Sequence, residues 1–245
     1  MNIILDKVHK LIKLYKNGTL GGAVMPEDAN PHLPKSSNEN YIYFTLPMAL
    51  NYQRNSYKLW EAANKSFSDK TTSDIFIPHK AAKMNFLELQ KKLLKHKTAI
   101  QPDKNTKIWQ TISETIANNF DGDLRNLFIQ NSYSIKKIKG YILSNKKSFP
   151  YLGGAKILNY WLYVMEQHTD AKFSDRQLIS IAPDTHVIQA SVKLGIIGED
   201  EINKTDIRER LAQRWQELLK DQTICPIDVH TPLWLWSRNG FKEEL

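Results

Sequence analysis

Phe149-Pro150-Tyr151-Leu152-Gly153-Gly154-Ala155-Lys156-Ile157-Leu158 joins two stretches of helical periodicity, and its reading decides the fold. Two adjacent glycines let the backbone turn sharply and approach a bulky partner, with their N–H groups expected to point outward where the next helix begins. A helix start behind such a turn is a natural phosphate site. The plainer alternative is a Gly-Gly turn between two helices of a bundle. Upstream, six lysines (Lys136, Lys137, Lys139, Lys146, Lys147 and Lys156) fall between Ser134 and Lys156 without a single acid. Such a run is either a solvated helix face or a strip of positive charge for an anionic partner.

Working outward, periods near 3.6 residues recur along the chain and no long alternation argues for a sheet, so an all-α fold is expected. The periodicity places helices at about 3–15, 86–96, 105–119, 124–131, 134–144, 155–167, 185–194, 205–220 and 231–238. A further helix is expected to open at Thr45, before Leu46-Pro47, and to carry Leu50, Tyr57, Leu59, Trp60 and Ala63. Residues 18–40, with Gly21, Gly22, Pro26, Pro31 and Pro34, read as a long loop that wraps the surface or moves.

The 245 residues carry 34 Lys and Arg against 26 Asp and Glu. The resulting charge of +8 is compatible with nucleic acid but does not by itself assign it. A single cysteine, Cys225, excludes an internal disulfide and a four-thiolate metal site within the chain. Charged residues interrupt the amino-terminal helix, so neither a secretory signal nor a membrane helix is expected there, and an intracellular, soluble protein is the default. The histidines lack ligand spacing, so neither a metal nor a cofactor is expected.

A second element is Pro183-Asp184-Thr185-His186-Val187, leading into an apolar helix. Asp184 stands where a carboxylate caps free N–H groups, which accounts for most aspartates in such places. Together with Lys156 it also makes a plausible pair of amine nucleophile and carboxylate.

Leu152-Gly153-Gly154-Ala155-Lys156 resembles the Leu-Pro-Gly-Val-Gly-x-Lys hairpin of the helix-hairpin-helix DNA glycosylases, and Pro183 to Val187 is similar to their Val-Asp-Thr-His-Val. Leu50-Asn51-Tyr52-Gln53, followed by Tyr57 and Leu59-Trp60, looks like their early helix, which places a Gln at the lesion. The subgroup that the chain resembles best is the archaeal GO glycosylase, an 8-oxoguanine glycosylase and abasic-site lyase. Pro226 to Trp236 is similar to its closing Pro-x-His-Leu-Asp-x-x-x-Trp segment, and the 28 positions from Lys156 to Asp184 suit it. The hairpin departs from the family by having Tyr151-Leu152-Gly153-Gly154 where a Pro-Gly-x-Gly order is usual. No four-cysteine cluster follows, which sets aside the iron–sulfur branch.

The resemblance implies a two-subdomain fold with the active site in a cleft between subdomains. One subdomain is expected at about 65–150 and the other from 1–64 with 151–245. It implies Lys156 and Asp184 as catalytic residues. Leu152, Gly153, Gly154, Lys146, Lys147 and His186 are then expected on DNA, and Gln53, Trp60, Asp228, Trp234 and Trp236 on the extruded base. Asp228 is set aside as the catalytic carboxylate, because no lysine hairpin lies a helix upstream of it. The implied partner is double-stranded DNA holding an oxidised purine, with no membrane and no obligate protein partner, the protein acting as a monomer. A glycosylase that uses Asp184 with water, and a non-catalytic helix-hairpin-helix DNA-binding protein, are the alternatives.

Overall fold

The computed structural model describes residues 3–21 and 25–245, with Ala155 described by its backbone alone. Among these residues every regular element is helical: twelve α-helices joined by turns and short 3-10 segments, as the periodicity requires. The chain forms two compact units, a terminal one (Met1–Val24 with Arg176–Leu245) and a central one (Met25–Asp175). The expected division put 25–64 and 151–175 with the termini. They belong instead with the central helices, because the segment after position 38 supplies the core of that unit.

The terminal unit opens with α1 (Ile3–Lys16), whose Val8 and Leu11 are buried. In the central unit α2 (Asn38–Ala49) begins seven residues before the expected entry, where the Ser37 hydroxyl accepts the Asn40 N–H. Every residue from Asn40 to Ala49 is buried. A helix covered on all sides has no polar stripe, so its period was invisible in the sequence. Pro47 lies within α2 rather than at its start, and the helix ends at Ala49 instead of running on to Ala63.

A six-residue connection, 50–55, then leads to α3 (Ser56–Ser68), capped by Asn55, whose side chain accepts the Lys58 N–H. Next come α4 (Pro78–Lys83), α5 (Phe86–Lys95) and the long α6 (Pro102–Asn119). Next, α7 (Arg125–Gln130) leads to α8 (Ile135–Ser144), and α9 (Ala155–His168) closes the unit. The core is aromatic. Tyr43 meets Trp60, Phe67 and Phe76 at ring separations of 5.6 to 5.8 Å, and the Trp161 indole donates to the Thr45 hydroxyl at 2.9 Å.

Part of the expected loop is tied down: Pro26 and Glu27 are buried in a 3-10 turn, and the Tyr43 hydroxyl donates to the Ala29 carbonyl. Positions 22–24 of that loop lie outside the described residues.

The terminal unit resumes with α10 (Thr185–Lys193), α11 (Ile207–Leu218) and α12 (His230–Arg238). Val8, Leu11, Val187, Leu211, Trp215 and Leu233 share its core. The Trp215 indole donates to the Ser191 hydroxyl at 3.0 Å, which satisfies the one polar group this large side chain buries. No helix among the described residues is long and apolar enough to cross a membrane.

Candidate nucleic-acid interface

The hairpin lies entirely in the central unit, between α8 and α9. Asp175 fixes the start of α8: its carboxylate accepts the Ser134 hydroxyl and the Ile135 and Lys136 N–H groups. Burial pushes the Asp175 carboxyl upward, but these backbone bonds prevail and hold it below the ordinary range. Along α8 the lysine run is not uniform. Lys136 and Lys137 are exposed, whereas Lys139 is half-buried and burial pushes its amine down to about 8, with Asp175 opposing. Lys146 and Lys147, in the turn, are exposed.

The turn itself corrects the expectation for the glycines. The Gly153 N–H donates to the Phe149 carbonyl and the Gly154 N–H to the Tyr151 carbonyl, both at 3.1 Å. Neither points outward. The residue with left-handed backbone is Tyr151, at φ 63°, rather than a glycine. Leu152 is fully buried and packs as core, so it does not reach a phosphate. What faces outward is the next turn of chain: Gly154 is the N-cap of α9, offers no side chain to cap it, and Lys156 is exposed in its first turn.

Three side chains to which the sequence assigned no role on DNA gather at this turn. The Tyr52 and Tyr151 rings stand 5.2 Å apart at 50°, and the Lys104 ammonium sits 5.3 Å and 4.7 Å from their centroids. Positions 52, 104 and 151 are too far apart for any local pattern to reveal the cluster. Gln53, next to Tyr52, is exposed in the turn after α2, not on a helix, and its φ is 51°. Trp60 has no exposed surface; its ring lies 5.8 Å from Tyr43 and 5.6 Å from Phe44. Its helical spacing is therefore that of core, and it offers no face to a base.

In the terminal unit Asp184 is the N-cap of α10, half-buried, with Oδ1 accepting the Val187 N–H at 3.0 Å. His186, the second residue of α10, shares a hydrogen bond of 3.2 Å with the Ser237 hydroxyl and meets the edge of Trp234 at 5.6 Å. Trp234 is partly exposed and carries the Arg238 guanidinium over its ring at 4.8 Å. Trp236 is almost wholly buried, donating to the Glu243 carbonyl, which removes it from a stacking role. Asp228 is engaged on both oxygens: Arg176 reaches it at 2.6 and 2.9 Å, and the Cys225 N–H donates to it at 2.9 Å. That pairing holds the 3-10 turn before α12, a structural duty that leaves this carboxylate little to offer a substrate.

The expected residues thus sort into two sets. Lys146, Lys147, Lys156 and Gln53 are presented to solvent by the central unit, and in the terminal unit Asp184 and His186 stand at the start of α10, with His186 against Trp234 of α12. Among the described residues no three His, Cys, Asp or Glu side chains gather as a metal ion would require. No known family model matches the chain, and no curated protein matches it.

Proposed function

We propose that this protein is a DNA glycosylase with abasic-site lyase activity that excises an oxidised purine, 8-oxoguanine, from double-stranded DNA. The observation that carries the reading is Lys156. It is an exposed amine in the first turn of a fourteen-residue helix without a side-chain cap, following a tight hairpin turn that also presents Lys146 and Lys147. The uncapped N–H groups of α9 and the two lysines suit a phosphate backbone. The damaged nucleotide is rotated out of the duplex before any bond changes.

The neutral Lys156 amine then forms a bond to the sugar C1′, while the C1′–N9 bond breaks and the base leaves with the electron pair and takes up a proton. Loss of the amine proton and opening of the sugar ring give a Schiff base. Removal of a C2′ proton expels the 3′ phosphate oxygen and nicks the strand. The Asp184 carboxylate stabilises the positive charge that develops on the sugar. Gln53 offers an amide donor and acceptor to the base edge.

The test is borohydride trapping on a duplex holding 8-oxoguanine. The wild-type protein is expected to form a covalent adduct, and Lys156→Gln is expected to lose adduct, base release and nicking while still binding DNA. Nicking that survives in Lys156→Gln removes the amine from the mechanism.

One observation favours a second reading. The Asp184–Val187 bond is what an N-cap does in any protein. In a non-catalytic DNA-binding protein that bond would be its whole purpose. Asn caps a helix about as well as Asp, so Asp184→Asn separates the two: the catalytic reading expects excision to collapse with α10 intact, and the binding reading expects no change.

A further inference from the structure

We propose that Tyr52 and Tyr151, together with Lys104, form a stacking site for an unpaired nucleobase, one that has lost its Watson–Crick partner in bound DNA. The proposal deepens the reading above and rests on its premise that DNA is the ligand. Tyr52 is 44% exposed, so its ring is open to a ligand from solvent. Its ring is inclined at 50° to that of Tyr151, so the two do not cover each other's faces.

The site is built rather than incidental. The turn that carries Tyr52 is anchored on both sides: Ser56 donates to the Asn51 side chain, and the Arg54 guanidinium donates to the Lys97 and Thr98 carbonyls. Burial pushes that guanidinium down to about 10, as befits a group committed to the interior. Two non-glycine residues, Gln53 and Tyr151, are held in the left-handed region there, a conformation that persists only where the surroundings impose it.

The chemistry selects the occupant. A base is flat, has a π face whatever its identity, and brings a phosphate with it. The two rings supply the face, and Lys104, exposed and held among the described residues by the ring quadrupoles alone, supplies a cation able to swing to the phosphate. The acid beside it, Asp103, accepts from the Gln90 amide, and Lys146 runs along the hairpin next to Gly153. A base inside intact duplex has both faces stacked on its neighbours, so only an unpaired one can use the site. Rotating a nucleotide out of a duplex creates such a base opposite it, and Tyr151 stands in the same hairpin turn that leads to Lys156.

The experiment compares two duplexes that differ at one position, where 5-iodouracil faces either adenine or a tetrahydrofuran abasic analogue. Wild-type protein is expected to bind the second duplex more tightly and, on irradiation, to crosslink through Tyr52 or Tyr151, identified by mass spectrometry. Tyr52→Ala is expected to lose roughly 5- to 100-fold in affinity for the unpaired duplex and to lose the crosslink, with affinity for the paired duplex unchanged. Tyr52→Leu, which keeps apolar area but has no π face, should behave like Tyr52→Ala, and Tyr52→Phe like wild type. Circular dichroism verifies that each variant is folded.

The proposal is overturned if wild type shows no preference for the unpaired duplex, if Tyr52→Ala keeps affinity and crosslink, or if it weakens both duplexes equally. Neither duplex requires base excision. Crosslinking without borohydride trapping on the 8-oxoguanine duplex therefore removes the Schiff-base reading and keeps the stacking site, and trapping with an indifferent Tyr52→Ala does the reverse.

Discussion

Glu27 gives a pH test whose size follows from its surroundings. It is 2% exposed in the 3-10 turn Pro26–Asp28, with Oε1 accepting the Tyr160 hydroxyl at 2.7 Å and Oε2 without a hydrogen-bond partner among the described residues. Burial raises its pKa from 4.5 to about 7, against the lowering effect of the Tyr160 bond and its own backbone N–H, and Asp28 adds to the rise. A carboxyl whose folded pKa exceeds its unfolded one binds its proton more tightly in the native state. Its stabilisation is therefore complete below the unfolded value and is lost as pH climbs through the folded one. A rise of that size corresponds to roughly 3 kcal/mol in full, of which about 2.5 kcal/mol disappears between about pH 5 and about pH 8.

Glu27→Gln keeps the shape and the acceptor for Tyr160 but does not titrate. Urea unfolding followed by tryptophan fluorescence, run on both proteins across that range, isolates Glu27 in the difference, because every other titrating group is common to both. Wild type should be the more stable at low pH relative to its standing at high pH, the gap changing by about 2.5 kcal/mol. Tyr160→Phe removes a bond that lowers the pKa, so the transition should move to higher pH. Parallel curves for wild type and Glu27→Gln would refute the assignment of a protonated carboxyl at this place.

Two further predictions concern residues that the sequence offered as base contacts. Trp60→Ala should cost about 3–5 kcal/mol, read as a fall in the urea midpoint, because the ring lies wholly in the Tyr43–Phe44 core; a loss under about 1 kcal/mol contradicts that burial. Gln53→Gly should raise stability by a few tenths to about 1 kcal/mol by relieving the left-handed backbone, while base release from 8-oxoguanine duplex falls; a lower melting temperature in the variant rules out strain at this position.

The helices legible in the sequence are those with one wet face. In α1, Val8 and Leu11 turn inward between exposed charges, and in α5, Leu89 and Leu93 do the same, so a period of 3.6 locates both within two residues. By contrast, α2 is buried all round and reads as a featureless apolar run, so its start was placed at Thr45 instead of Asn38 and its Pro47 was taken for an entry signal. The units were misdrawn for a related reason. What assigns 25–64 to the central unit is contact between distant positions, such as the Asn38 amide on the Gly122 carbonyl, which no local pattern announces.

For the site, sequence could name residue types but not their state. Periodic tryptophans look alike whether buried, as Trp60 and Trp236 are, or partly exposed, as Trp234 is. Asp228 and Asp184 both sit before helices, yet the first is bound on both oxygens by Arg176 while the second gives Oδ1 to one N–H group.

The hairpin carries the same lesson into the proposals. Its Gly-Gly pair suggested two free N–H groups and a backbone that only glycine tolerates. Instead those N–H groups close the turn internally, and the left-handed position falls to Tyr151. An ordinary side chain there costs about 1 kcal/mol or more, which a glycine would avoid. Pro150, whose ring fixes its own φ, and Leu152, fully buried, clamp the tyrosine from both sides and make the conformation compulsory. Stability alone favours glycine at that position. A tyrosine there makes sense if its ring has work at the surface, and its ring is the one that meets Tyr52 and Lys104.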